Sequence, residues 1–221
     1  MITSTSQKPS HVVLLGDSIF ANAAYTHGGA DVLTHLRSVM PVNWRGTLCA
    51  VDGATTRDLA SQLASVPSDA SHLVVSIGGN DALQNSDLLS MRVASSAQAL
   101  QAFADRLAPF ERVYRSAIRD VVALGHPTAV CTIYNGALER DRAAIARLGV
   151  ALFNDAILRT AMHLGLDIVE LRTVCTDPAD YASPIEPSVQ GGLKIARAIA
   201  RAVGATNGAE AKLVRLWGGA D

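Results

Sequence analysis

The sequence predicts an α/β domain built on a parallel β-sheet. Short, nearly unbroken apolar runs rich in β-branched residues alternate along the chain with longer segments of helical periodicity. Strands that read as continuous apolar runs are buried on both faces, so helices are expected on both sides of the sheet.

The first strand is expected at residues 12–15, where Val12, Val13, Leu14 and Leu15 follow one another. Further strands are expected at 47–51, 73–77, 128–133 and 167–171, making a five-stranded sheet. Helices are expected at 31–40, 56–65, 91–124, 138–164 and 191–203. Pro109 lacks a backbone N–H and is expected to kink the third of these or divide it in two. Right-handed crossovers then bring the loops that follow the strands to one edge, where open sheets of this class bind ligands.

At 221 residues, 49% of them hydrophobic, the chain is long enough for one substantial core. One domain is expected at 11–204, between an N-terminal extension at 1–10 and a tail at 205–221. In the tail Leu213, Val214, Leu216 and Trp217 are expected to pack back on the domain, with packing on a second subunit the alternative. Nineteen basic against twenty acidic residues give a net charge of −1, which favours neither nucleic acid nor an anionic membrane surface as a partner. The polar start carries no secretion signal and no later stretch reaches membrane-spanning length, so a cytoplasmic protein is expected. Cys49, Cys131 and Cys175 are widely spaced and have no nearby histidine cluster; they read as buried thiols, with no metal site. Neither glycine-rich phosphate-binding signature is present, so no cofactor is expected.

Three chemistry-bearing segments follow the first three expected strands and therefore share an edge. Gly16-Asp17-Ser18 sets a hydroxyl where a strand turns sharply outward, the place a nucleophile needs. Asp52-Gly53-Ala54 follows the second strand and Gly78-Gly79-Asn80-Asp81 the third. Singly, each has an ordinary explanation as a turn or a helix cap. Together and in this order they resemble the SGNH, or GDSL-type, esterase and lipase family.

That resemblance implies a three-layer α/β/α, flavodoxin-like fold and a serine esterase. It makes Ser18 the nucleophile and assigns the Gly53 N–H and the Asn80 side-chain amide to the oxyanion. Neutral, preorganised donors suit that task, and loss of one typically lowers turnover on the order of 100- to 1000-fold. Ile19, Asp81 and Tyr134 stand in the neighbouring loops and are expected to contact substrate. No long apolar lid is evident, which favours small soluble esters.

The last motif departs from the family. Where Asp-x-x-His is usual before the final helix, this chain has Ser183 and Glu186. His11, His72 and His126 belong at the opposite edge of the sheet, and His35 and His163 on helices, which leaves His27 as the histidine able to substitute. Glu186 is the expected general base, although its ordinary pKa of about 4.3 lies roughly two units below that of histidine. Burial beside Pro184, Ile185 and Pro187 would raise it, and Asp177 or Asp180, if close, would raise it further. The expectation is hydrolysis of a small ester through an acyl-serine. The alternative is a protein that binds an acylated or saccharide ligand without turning it over.

Overall fold

Strand β1 (Ser10–Gly16) sends alternate side chains to opposite faces of the sheet. Val12 and Leu14 enter one apolar cluster, Val13 and Leu15 the other, and all four are fully buried. This is why the run reads as continuously apolar. The computed structural model describes residues 9–206. The expected extension at 1–10 and tail at 205–221 lie almost wholly outside the described residues, as do Leu213, Val214, Leu216 and Trp217.

Four further strands, β2 (Trp44–Leu48), β3 (His72–Ser76), β4 (Thr128–Cys131) and β5 (Asp167–Val169), complete a five-stranded sheet in the order β2-β1-β3-β4-β5. Every pairing is parallel. Helices α1 (Val32–Val39), α6 (Leu171–Val174) and α7 (Val189–Ala202) cover one face, with Leu36, Leu171, Ile195 and Ile199 fully buried. The other face is covered by α2 (Leu59–Leu63), α4 (Ser96–Val122) and α5 (Arg140–His163), through Leu59, Ile118 and Ile157 among others. A short α3 (Gly79–Gln84) and a 3-10 turn (Ser86–Ser90) stand between β3 and α4. The order in which strands are added switches direction between β1 and β3, which opens a crevice beyond their carboxyl ends.

Two expectations need correction. Strand β2 lies three residues before the expected 47–51, because an edge strand is only half covered and its residues do not form a continuous buried apolar run. Beyond Leu48 the chain bulges: both Cys49 and Ala50 donate to the Leu14 carbonyl. Pro109 does not divide α4, which is continuous from Ser96 to Val122. The proline is on the exposed face, where water can take the carbonyl it leaves unpaired, and Phe110, Tyr114, Ile118 and Val121 anchor the following turns in the core.

At the end of β1, Gly16 has φ +129°, and a Cβ there would stand 1.7 Å from the Ser76 carbonyl oxygen of β3. Only glycine permits this approach. Gly16→Ala is expected to destabilise the fold by about 3 kcal/mol or more, measured by urea unfolding.

Candidate active site

The turn after β1 is fixed from several sides. The buried Gln62 side chain clamps Gly16, donating to its carbonyl and accepting from its N–H, each at 2.7 Å. The Asp17 N–H donates to the Ser76 carbonyl at 3.0 Å, and the Asp17 carbonyl accepts from Phe20 and Ala21. Oδ1 of Asp17 accepts from the Ile19 N–H at 3.1 Å, closing a side-chain turn around Ser18. Ser18 is left 8% exposed, and its Oγ donates to Glu186 Oε1 at 3.2 Å.

Glu186 is 168 residues away in sequence and is brought here by a loop with restraints of its own. The Tyr134 hydroxyl donates to the Ile185 carbonyl at 2.6 Å, and Ala137 N–H donates to the Pro184 carbonyl at 2.8 Å. Asn22 donates to the Pro187 carbonyl, and Ala182 N–H to the carbonyl of Glu186 itself. Ser188 caps α7. Below it the fully buried Asp180 is held by Lys194, Gln190 and the Asp177 N–H. Burial works against the Asp180 carboxylate, but these partners keep its pKa below the usual value.

Burial pushes the Glu186 carboxyl upward, the Ser18 hydrogen bond opposes this, and the charge of Asp52 adds to it. The neighbouring like charge is thus Asp52, not Asp177 or Asp180. The Tyr25 hydroxyl donates to Asp52 at 2.9 Å, and this bond raises the Tyr25 pKa to about 12. The second carboxyl oxygen of Glu186 is buried with no hydrogen-bond partner. Asp17 is raised to about 7, chiefly by burial, with the Ile19 N–H opposing and the charges of Glu186 and Asp81 adding.

Asn80, in the first turn of α3, donates through Nδ2 to the Ala54 carbonyl at 2.8 Å, which leaves its other amide hydrogen. Gly53, with φ +79°, is exposed at a separate shallow hollow. Among the described residues the Gly53 and Ser18 N–H groups donate to no protein acceptor. Sequence reading missed the Ser18 N–H, because backbone donors carry no signal in residue type.

Ser18, Asn80, Glu186, Ile19 and Tyr134 line one cavity of about 530 Å³. Its far part is apolar, with Leu83, Leu89, Phe103, Ile145, Val150 and Phe153 in its walls. Gly53 is not in that lining. Asp81, expected at substrate, is also outside it: its Oδ2 accepts from both the N–H and the hydroxyl of Thr56, each at 2.9 Å, tying α3 to the loop after β2. His27 is exposed, has φ +51° and does not line the cavity. No cluster of metal-ligating side chains occurs among the described residues.

A family model for GDSL-like lipases and acylhydrolases matches residues 14–191. The chain belongs to the GDSL-like lipase/acylhydrolase family. Solved structures of similar fold include an extracellular lipase from Streptomyces rimosus, 17% identical with TM-score 0.64, covering 87% of this chain and 99% of that one. A phospholipase A1 from Streptomyces albidoflavus is 18% identical with TM-score 0.66, covering 88% and 99%. An acetylxylan esterase from Geobacillus stearothermophilus is 21% identical with TM-score 0.63, covering 89% and 96%. No curated protein matches the chain. No helix among the described residues of this GDSL-like hydrolase is long and apolar enough to cross a membrane.

Over the window from about pH 4 to about pH 7, folded Asp17 keeps a proton that the unfolded chain has released, so stability falls as pH rises. Between pH 5 and pH 8 the loss is expected to be about 2 to 3 kcal/mol. Asp17→Asn, which retains the acceptor for Ile19, should flatten this slope when urea unfolding is compared at the two pH values.

Proposed function

We propose that this GDSL-like hydrolase cleaves a carboxylic ester through an acyl-serine, with Glu186 in the place of histidine. The observation that carries the reading is the hydrogen bond from Ser18 Oγ to Glu186 Oε1. A nucleophile already donating to a buried carboxylate of raised pKa is a nucleophile paired with its base.

In the proposed reaction Ser18 Oγ attacks the acyl carbon and its proton passes to Glu186. The oxyanion accepts from the Ser18 N–H and from Asn80 Nδ2, the donors at the cavity that holds Glu186. Protonated Glu186 returns the proton to the departing alcohol oxygen as the ester bond breaks. Water then gives a proton to Glu186, attacks the acyl-serine and releases the acid, with the proton going back to Ser18. Burial supports a carboxylate in this role, because a base whose pKa lies nearer the working pH accepts a proton more effectively. The four backbone and side-chain bonds on residues 182–187 support it too, since a base must be held in position.

With short p-nitrophenyl esters, Ser18→Ala should fall to background and Glu186→Gln should lose at least about 100-fold in kcat/KM. Wild-type activity should fall as pH drops through a single inflection lying above the ordinary carboxylate range. Ser183→Asp/Glu186→His should recover turnover relative to Glu186→Gln and move the inflection towards about 6.5. Full activity in Glu186→Gln would remove glutamate from the mechanism. Absence of Ser18-dependent turnover across ester classes would favour a ligand-binding protein.

A further inference from the structure

Helices α4 and α5 are far longer than the strands they cover, at 27 and 24 residues against 3 to 7. At about 1.5 Å per residue α5 runs about 36 Å, whereas the seven residues of β1 cover about 23 Å. Both helices enter from the loops above the carboxyl edge of the sheet, and Phe103 of α4 and the Arg142–Phe153 stretch of α5 wall the apolar arm of the Ser18 cavity. On α5 the cavity-lining positions recur at spacings of three and four, from Arg142 through Ile145, Gly149 and Phe153, forming one face.

Gly149 has no evident structural reason to be glycine. It sits in a helix interior, where glycine is disfavoured relative to alanine. Its φ is not among the positive ones. A Cβ there would meet Leu89 Cδ2 at 3.5 Å and Phe103 Cε1 at 3.9 Å, which is ordinary contact. What the missing side chain does provide is open space between α4, α5 and the 3-10 turn, beside the apolar side chains of Leu89 and Phe103.

We infer that the acyl group this protein accepts is an unbranched chain of medium length, lodged between α4 and α5, and that Gly149 keeps its channel open. This rests on the proposed acyl-serine chemistry and names the acyl class of that site. It replaces the sequence-based expectation of small esters, since two protruding helices supply the apolar cover that a lid would give. From Arg142 to Phe153 the helix advances about 16 Å. At about 1.3 Å per carbon, that corresponds to roughly twelve carbons as an upper length.

The test is kcat/KM for p-nitrophenyl esters from acetyl to dodecanoyl, each kept below its micellar concentration, in wild type, Gly149→Ala and Gly149→Phe. Full burial of a methylene favours binding about fourfold, so the decanoyl-to-acetyl ratio in wild type should exceed about tenfold. Gly149→Phe should lower that ratio at least about tenfold, and Gly149→Ala, whose Cβ fits, should lower it less. If Gly149→Phe does not fold, Gly149→Leu takes its place. A wild-type preference for acetate, or a ratio unmoved by the bulkier variant, would overturn the inference while leaving the proposed function intact.

If no ester shows Ser18-dependent turnover, the proposed function fails separately. The channel is then judged by titrating a fluorescent fatty acid. Saturable binding to Ser18→Ala that weakens about tenfold on adding Gly149→Phe would support it. No saturable binding would overturn it.

Discussion

The close approach of β1 to β3 at Gly16 and Ser76 is the contact on which the site depends. Because no Cβ intervenes, the Asp17 N–H reaches the Ser76 carbonyl, and Gln62 can take both polar groups of Gly16. The chain must then turn outward at once, and Ser18 is the residue at that turn. Strand register, a buried amide and a glycine thus fix Ser18 independently of Glu186. The same crevice admits α3, whose Asn80 is held through the Ala54 carbonyl and whose Asp81 is held by Thr56. These three bonds couple the second and third motifs, so the three loops behave as one support.

Glu186 reaches this support by an independent route. Its loop is pinned to the β4–α5 connection through Tyr134 and Ala137, and Gly136, with φ +71°, lets the Pro184 carbonyl come close, since a Cβ there would stand 2.6 Å from that oxygen. On its other side the buried Asp180, paired with the partly exposed Lys194, anchors the entry to α7. A buried carboxylate with such partners is costly to break apart, which suits a residue that holds a loop. The electrostatics differ around Ser18, where the charge of Glu186 acts on Asp17 and that of Asp52 on Glu186. Burial and like charge raise Asp17 and Glu186 together, so this part of the molecule gives up stability at neutral pH to keep carboxyls there.

Most of the fold was legible because its strands are buried on both faces and its helices are long. The position of strand β2 was not legible because an edge strand lacks that signal, nor was the continuity of α4 through Pro109, because the sequence does not say which face of a helix meets water. At the site, the three motifs could be read from their order after successive strands. The pairing of Ser18 with Glu186 was expected from the family's spacing, and the hydrogen bond places them together. The use of Asp81 was not legible, since a carboxylate beside a motif asparagine looks the same whether it faces substrate or a threonine. Nor was the apolar arm, because it lies between α4 and α5, and periodicity alone does not reveal whether an apolar face meets protein or open space.

The proposed chemistry turns on activation of Ser18 by Glu186. Labelling by a fluorophosphonate, followed by intact-protein mass spectrometry across pH, reads that activation without requiring a known substrate. Glu186 as base predicts a single adduct at Ser18, formed at a rate that rises with pH through one raised carboxylate ionisation and is lost in Glu186→Gln. Equal labelling of wild type and Glu186→Gln at every pH would contradict it.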